Sequence, residues 1–294
     1  MKKLTLIGLP LYGLSAYREM ARAVCILRAA GIAEILKSGT ESFVDLGDAN
    51  LSDITVDTGP KNLRNFPQFL KDTDTVRLTA SKVSAEDFVF CLGGGCELIV
   101  GTLAGFRSVF KGTPGVVWMD AHGDFNTPET SPSGYIGGMG LAMACGRGPH
   151  LSATIEGARP LLAEGNVVHI GSRALDPAEK AVMLSTPMKL YSGASAHSEG
   201  IAKVADESAA YLVDRCDWIT CHLDVDAINP EVIPAVKFPV SGGLGINEVA
   251  TIVNALRRTG KFKVFNLTSY NPTVDNDHTS CNRLLELISE LFAS

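Results

Sequence analysis

The chain has 294 residues, 46% hydrophobic and 20% charged, with a formal net charge of −6. That supplies a sizeable core for one large α/β domain spanning residues 1–294 and is too apolar a composition for a disordered chain. With no basic tract and no run near the ~18 apolar residues of a membrane span, neither nucleic acid nor a membrane is an expected partner.

The start, MKKLTLIGLPLYG, imitates a secretory leader. Its apolar run is short, meets Pro10 and Gly13 and has no clear cleavage site, so KLTLIGLPL reads as a first strand. Residues 13–36 have helical spacing, with Met20, Val24, Leu27 and Ala30 near one face. SFVDLGD is a short strand, and residues 48–66 form a polar surface loop containing Pro and Gly. Residues 62–83 are ambiguous, part helical and broken around Pro67. DFVFCLGG is a buried strand, ELIVGTLAGFRSVF a helix and GVVWMDAH another strand. A long polar loop then runs to Gly138, and GLAMACGRG is a helix ended by Gly146.

NVVHIGSR is a strand, DPAEKAVMLST a helix with Pro177 in its first turn, and MKLYSG a strand. SEGIAKVADESAAYLVDRC is an amphipathic helix. DWITCHLDVDAI is a strand, INEVATIVNALRRTG a helix, KFKVFNLTSYNP the last strand and TSCNRLLELISELFAS the closing helix. No linker or repeat divides the chain. Strands alternating with helices imply a mainly parallel sheet covered on both faces. In such a fold the site lies beyond the carboxyl ends of the strands. Seven cysteines without rhythmic spacing read as reduced thiols of a cytoplasmic protein, and Cys91, Cys145 and Cys221 as core.

Three strand ends carry unusual polar groups. VVWMDAHGDFNTPETSPSG runs from a buried strand into Asp120, His122 and Asp124, which i, i+2 spacing sets on one side of an extended chain. ITCHLDVDAINP repeats this logic with Asp224 and Asp226, and His222 lies two residues earlier. One such aspartate alone reads as a turn or a helix cap. Four carboxylates and an imidazole at two strand ends suit two hard cations that activate a water. The third strand end is CLGGGCEL, with Cys96 just beyond its strand. It lacks the Lys-Ser/Thr of a phosphate loop and the spacing of a dinucleotide fingerprint. Cys96 reads as a metal ligand or, with His122 as base, a covalent nucleophile. Glu97 reads as a solvated helix-start residue, and His222 as either a ligand-orienting or a packed histidine. His150, His169, His197 and His278 have no motif context and read as surface or structural.

DAHGDFNTPETSPSG together with LDVDAINP resembles the arginase, or ureohydrolase, family of binuclear manganese enzymes. The resemblance extends through GSRALDPAE, FPVSGGLG and the terminal strand and helix, roughly residues 87–294. It implies a three-layer α/β/α sandwich, two Mn²⁺ ions, a small guanidino substrate and a homo-oligomer, trimer or hexamer. The implied metal ligands are Cys96, Asp120, His122, Asp124, Asp224 and Asp226, with Asp124 and Asp224 as the bridging pair. Asp124 and His122 are the implied catalytic residues: a metal-bridging hydroxide attacks the guanidinium carbon and Asp124 manages the proton. Asn126 and Ser133 match positions that bind an α-carboxylate, and Asp176 and Glu179 positions near an α-amino group. Asp176 reads equally as a helix cap before Pro177.

The departures from the family pattern are specific. Cys96 stands where the family has a histidine ligand, and Gly95 where it has an aspartate. A shuttle histidine falls at Gly137 and a guanidinium-clamping glutamate at Ser269. A thiolate suits manganese less well than imidazole, so one site is expected to be weak or altered. Relatives that hydrolyse Nω-hydroxy-arginine resemble this pattern, and hydroxylation lowers the guanidine pKa. The expected activity is hydrolysis of the guanidino C–N bond of arginine or Nω-hydroxy-arginine to urea or hydroxyurea plus ornithine. The alternatives are agmatinase, guanidino-acid hydrolase or formimidoylglutamase-like activity, or a non-catalytic protein on the same fold. Tyr135, in the loop of the expected site, is a further candidate for substrate contact.

Overall fold

The computed structural model describes residues 2–157 and 160–293. Eight strands form one sheet: β1 (Lys3–Leu9), β2 (Ser42–Asp48), β3 (Phe88–Gly93), β4 (Pro114–Met119), β5 (Val167–Ser172), β6 (Lys189–Ser192), β7 (Trp218–Asp224) and β8 (Phe262–Thr268). Their order is β2-β1-β3-β8-β7-β4-β5-β6, and every pairing is parallel. The reason lies in the strand sequences. β3, β4, β5 and β7 are buried at every position, as strands covered on both faces must be.

Alternation along each strand divides the core between two layers. Phe88, Phe90 and Leu92 of β3 and Val117 and Met119 of β4 pack on one side with helices Arg22–Ala29, Ile32–Ser38, Ile201–Val213, Ile246–Arg258 and Thr279–Phe292. Val89, Cys91, Val116 and Trp118 face the other way, toward helices Phe66–Ala80, Leu98–Phe106 and Gly140–Ala144. The result is the expected three-layer α/β/α sandwich.

Three helical readings are corrected. The helical pattern of residues 13–36 resolves into a 3₁₀ segment, Ser15–Ala21, and helices Arg22–Ala29 and Ile32–Ser38. Gly31, at φ 96°, turns the chain between the two helices. The pattern from 198 to 216 likewise breaks at Gly200, φ 89°, into Gly193–Glu199 and Ile201–Val213. Pro67 does not break a helix; it sits in the first turn of Phe66–Ala80, where its missing N–H costs nothing.

Register fixes what stands at the carboxyl edge. Met119 pairs with Leu223, Leu223 with Leu267, and Leu92 with Leu267. The next residues, Asp120, Asp224, Thr268 and Gly93, therefore emerge at one level from the adjacent strands β4, β7, β8 and β3. The chain passes from β3 to β4 across two positions that β7 and β8 fill later. This is the crossover geometry at which α/β sheets open a crevice.

Candidate metal centre

Each of the four strand ends contributes a fixed donor. Beyond β4, the two Asp120 oxygens are engaged: Oδ1 accepts from the His122 backbone N–H at 2.7 Å and Oδ2 from Trp118 Nε1 at 3.0 Å. At β7, Asp224 Oδ1 accepts the Asp226 N–H at 2.8 Å. Asp226 Oδ1 accepts the Ala121 N–H at 3.1 Å, which ties the two acidic turns together. Its Oδ2 lies 3.0 Å from His122 Nδ1. Beyond β3, Cys96 donates its thiol to Asp224 Oδ2 at 2.9 Å, and beyond β8 the Ser269 hydroxyl donates to the same oxygen at 2.5 Å. Asp124 and Ser269 hold positive φ, 47° and 68°, a strained conformation tolerated where the surrounding structure imposes it.

Two groupings have donor atoms within 4.8 Å of one another: Cys96, Asp120 and Asp124, and Asp120, His122 and Asp226. Asp120 belongs to both, and Asp224 touches Cys96. All six sequence-derived ligand candidates thus meet in one cluster. Asp120, Asp124, Asp224 and Asp226 are buried, and among the described residues no lysine or arginine side chain pairs with them.

The electrostatic consequence is large. Burial, then Asp226, pushes Asp224 up to about 7. Burial, with neighbouring carboxylates, raises Asp120 and Asp226, and raises Asp124 well above the usual carboxylate range. Burial and then Asp224 hold the Cys96 thiol protonated. Burial disfavours a charged His122, but hydrogen bonds with Asp120 and Asp226 outweigh it and lift the imidazole to about 12. Oxygen-rich, desolvated and mutually repelling, this donor set fits divalent cations, which would reverse the preference for protons.

A pH test follows. Asp224 titrates near 7 in the metal-free fold against about 4 in the unfolded chain. The native state therefore binds protons that the unfolded state releases. This stability is present below about 4 and is lost as pH rises through about 7, on the order of a few kcal/mol. Asp120, Asp226 and His122 shift in the same direction. Chelator-treated protein should melt progressively lower from pH 5 to 8. Protein loaded with a divalent cation should not, because ligands must deprotonate to bind metal. Parallel melting profiles with and without metal would refute this account.

The cluster opens into a cavity of about 460 Å³. Asn126, Ser133, Asp176 and Glu179 line one side of it. Asn126 Nδ2 donates to Asp176 Oδ2 at 3.0 Å and its Oδ1 accepts from Thr130 Oγ1 at 2.9 Å. Asp176 also precedes helix Pro177–Leu184 as its N-cap residue, so the helix-end and cavity readings describe one residue. Glu179 Oε1 accepts from the Phe125 N–H at 2.8 Å and Oε2 from the Asp176 N–H at 3.2 Å, binding this wall to the Asp124 loop.

A sequence profile described as the arginase family matches residues 2–293. The chain belongs to the arginase family. It is 32% identical to the arginase of Bacillus subtilis (strain 168) over 291 residues, 99% of this chain and 97% of that protein. The native arginase structure from Bacillus caldovelox superposes with a TM-score of 0.92 at 31% identity, covering 100% of this chain and 99% of that one. The Entamoeba histolytica arginase, solved with L-ornithine, superposes at 0.90 with 26% identity, covering 100% of both chains. The chain is an amidinohydrolase of the arginase type.

Against the arginase pattern, the departures have a structural logic. Glu97 is not a solvated helix-start residue: it is fully buried, and neither carboxyl oxygen finds a partner among the described residues. Burial pushes it up to about 7. A Cβ on Gly95 would overlap Glu97 Oε2 and lie 3.1 Å from Oε1, so this carboxyl group occupies the room of the missing residue-95 side chain. Sequence reasoning missed it because a glutamate at a helix start is normally exposed. Cys96 faces Asp224, Thr268 and Ser269, while His122 pairs with Asp226 and Asp120, so among the described residues the Cys96 thiol bonds to oxygen partners and makes no hydrogen bond with the His122 imidazole.

His222 stacks on Trp118 with ring centroids 3.8 Å apart and is a packed histidine. His169 is buried in the core, and His197 pairs with Glu248 at the surface. Glu129 is exposed and bonded to Thr127, away from the cluster. Trp118, Arg173, Lys237 and Phe238 were not anticipated. Trp118 supports Asp120, and its i, i+2 position was the available signal. Arg173 donates to the carbonyls of Asp226 and Val240, pinning the turn that carries Asp226. Lys237 and Phe238 line the cavity and carried no sequence signal.

Proposed function

We propose that this chain hydrolyses the guanidino C–N bond of an α-amino acid, preferring Nω-hydroxy-arginine to arginine and releasing hydroxyurea or urea with ornithine. The observation that carries the preference is Ser269, a neutral hydroxyl at the β8 edge of the cavity that donates to Asp224 and offers no carboxylate there to clamp a guanidinium. A hydroxyguanidine, less basic than guanidine, depends less on such a clamp.

Cys96, Asp120, His122, Asp124, Asp224 and Asp226 would hold two Mn²⁺ ions. The ions would supply the positive charge that makes water a nucleophile at neutral pH. Asp124 accepts the proton released as water adds to the guanidino carbon. As the C–N bond breaks, that proton goes to the departing amine nitrogen. His122, held by Asp226, orients the water side of the site. Asn126 and Ser133 hold the α-carboxylate, and Asp176 and Glu179 the α-amino end. Seven free cysteines support a reducing, cytoplasmic location, and no described helix is long and apolar enough to cross a membrane.

The test is a substrate panel with added manganese: Nω-hydroxy-arginine, arginine, agmatine and formiminoglutamate. Hydroxy-arginine should turn over fastest and agmatine, lacking the carboxylate, should be poor. Faster turnover of arginine would defeat the hydroxy-arginine preference. No turnover of any substrate, with no bound manganese, would defeat the whole reading.

A further inference from the structure

The loop after β4 carries glycine at 137, and the room that a side chain there would need is filled. A Cβ on Gly137 would overlap Cζ and Oη of Tyr135 and lie 2.5 Å from its Cε1. The phenol occupies the space that a side chain at 137 would need. Its ring is held from two sides. Gly13 leaves space for it, since a Cβ there would lie 3.0 Å from Tyr135 Cε2. Tyr17 packs edge-on at 4.7 Å, Phe238 packs on Tyr17 at 5.4 Å, and Phe238 meets the His122 ring at 5.8 Å. An aromatic chain thus runs from Tyr135 back to a member of the acidic cluster.

Tyr135 lines the cavity together with Cys96, Asp124 and Ser269. Its hydroxyl has no hydrogen-bond partner among the described residues, although its backbone N–H is satisfied by Ser133 Oγ at 3.2 Å. Burial, with Glu97, Cys96 and Asp124 nearby, keeps the phenol protonated. A phenol is at once donor and acceptor. A plain guanidinium offers only donors, so it leaves the phenol proton without an acceptor on the ligand. An N-hydroxyl adds an acceptor oxygen and a further donor. Sites built to hydrogen-bond a substrate hydroxyl reject the analogue lacking it, because their own polar group is then unpaired.

We propose that Tyr135 is a substrate-contacting, specificity-determining residue whose hydroxyl pairs with the oxygen of an N-hydroxyguanidino group. The proposal rests on the functional reading above and names the residue that enforces its preference.

The experiment compares kcat/KM for Nω-hydroxy-arginine and for arginine in manganese-loaded wild type, Tyr135→Phe and Gly137→Ala, with the Kd of Nω-hydroxy-arginine measured by calorimetry. Tyr135→Phe keeps the ring and its packing. Gly137→Ala leaves the tyrosine but displaces its phenol. Each variant should lower the hydroxy-arginine to arginine ratio by about tenfold or more and weaken binding of the hydroxylated substrate, the scale of one lost hydrogen bond. A loss of both activities in equal proportion, or a ratio within about twofold of wild type in either folded variant, overturns the proposal while leaving the amidinohydrolase reading intact. Wild type inactive on both substrates overturns both.

Discussion

Asp224→Asn should abolish turnover while making the metal-free protein more stable. Asp224 Oδ2 gathers donors from Cys96 and Ser269, and its Oδ1 holds the Asp226 N–H, so it joins three strand ends. Its carboxyl is buried among Asp120, Asp124 and Asp226, and burial with Asp226 lifts it to about 7. An amide removes one charge from this repulsion. Its oxygen can still accept the Asp226 N–H, while its nitrogen can donate to the Cys96 sulfur and the Ser269 oxygen. In chelator at pH 8 the variant should therefore gain on the order of 1–3 kcal/mol in denaturant unfolding. The same change removes a proposed metal ligand. Manganese content should fall below one ion per chain and kcat/KM by about a thousandfold or more, the scale of losing electrostatic preorganisation at a reacting centre. Full manganese loading in Asp224→Asn would show that the ligand set is misassigned. A metal-free variant less stable than wild type would show that the carboxylates are relieved by something other than a cation.

Cys96→His should tighten the weaker of the two proposed manganese sites about tenfold or more. Manganese favours oxygen and nitrogen donors over sulfur, and the Cys96 thiol is held protonated by burial and by Asp224, so a cation must displace that proton before the sulfur can bind. An imidazole at neutral pH presents a lone pair at much smaller cost. Titration calorimetry of chelator-stripped protein separates the two: wild type should show one strong and one weak event, the variant two of similar strength. Cys96→Ala is the control and should retain only the strong event. Identical isotherms for all three proteins would remove Cys96 from the ligand set. In that case Cys96 would be a packed thiol, bonded to Asp224 and Thr268 for structural reasons alone.

Much of this was legible along the chain, for a physical reason. Strand burial on both faces requires unbroken apolar runs, and these ended abruptly in Asp120, Asp224 and Cys96. The i, i+2 spacing then sets side chains on one side of an extended backbone whatever the fold. Helix interruptions were less legible. Gly31 and Gly200 each take φ near 90°, and helical periodicity continues across both because it reports the buried face and not the backbone turn.

Residue type and spacing by themselves determined the alternating α/β architecture, the carboxyl-edge location of the site and the six acidic, imidazole and thiol groups that meet there. Only the tertiary structure decided how the vacancies at 95 and 137 are filled. Glu97 and Tyr135 each lie two residues from the glycine whose space they occupy, and nothing in their local sequence shows that they fill it. Their positions depend on distant elements, Gly13 and Tyr17 near the N-terminus and Phe238 beyond β7, which come together only when the sheet forms. Local sequence governs periodicity and spacing, which act over a few residues. The filling of space within a cavity is governed by packing between segments far apart in the chain.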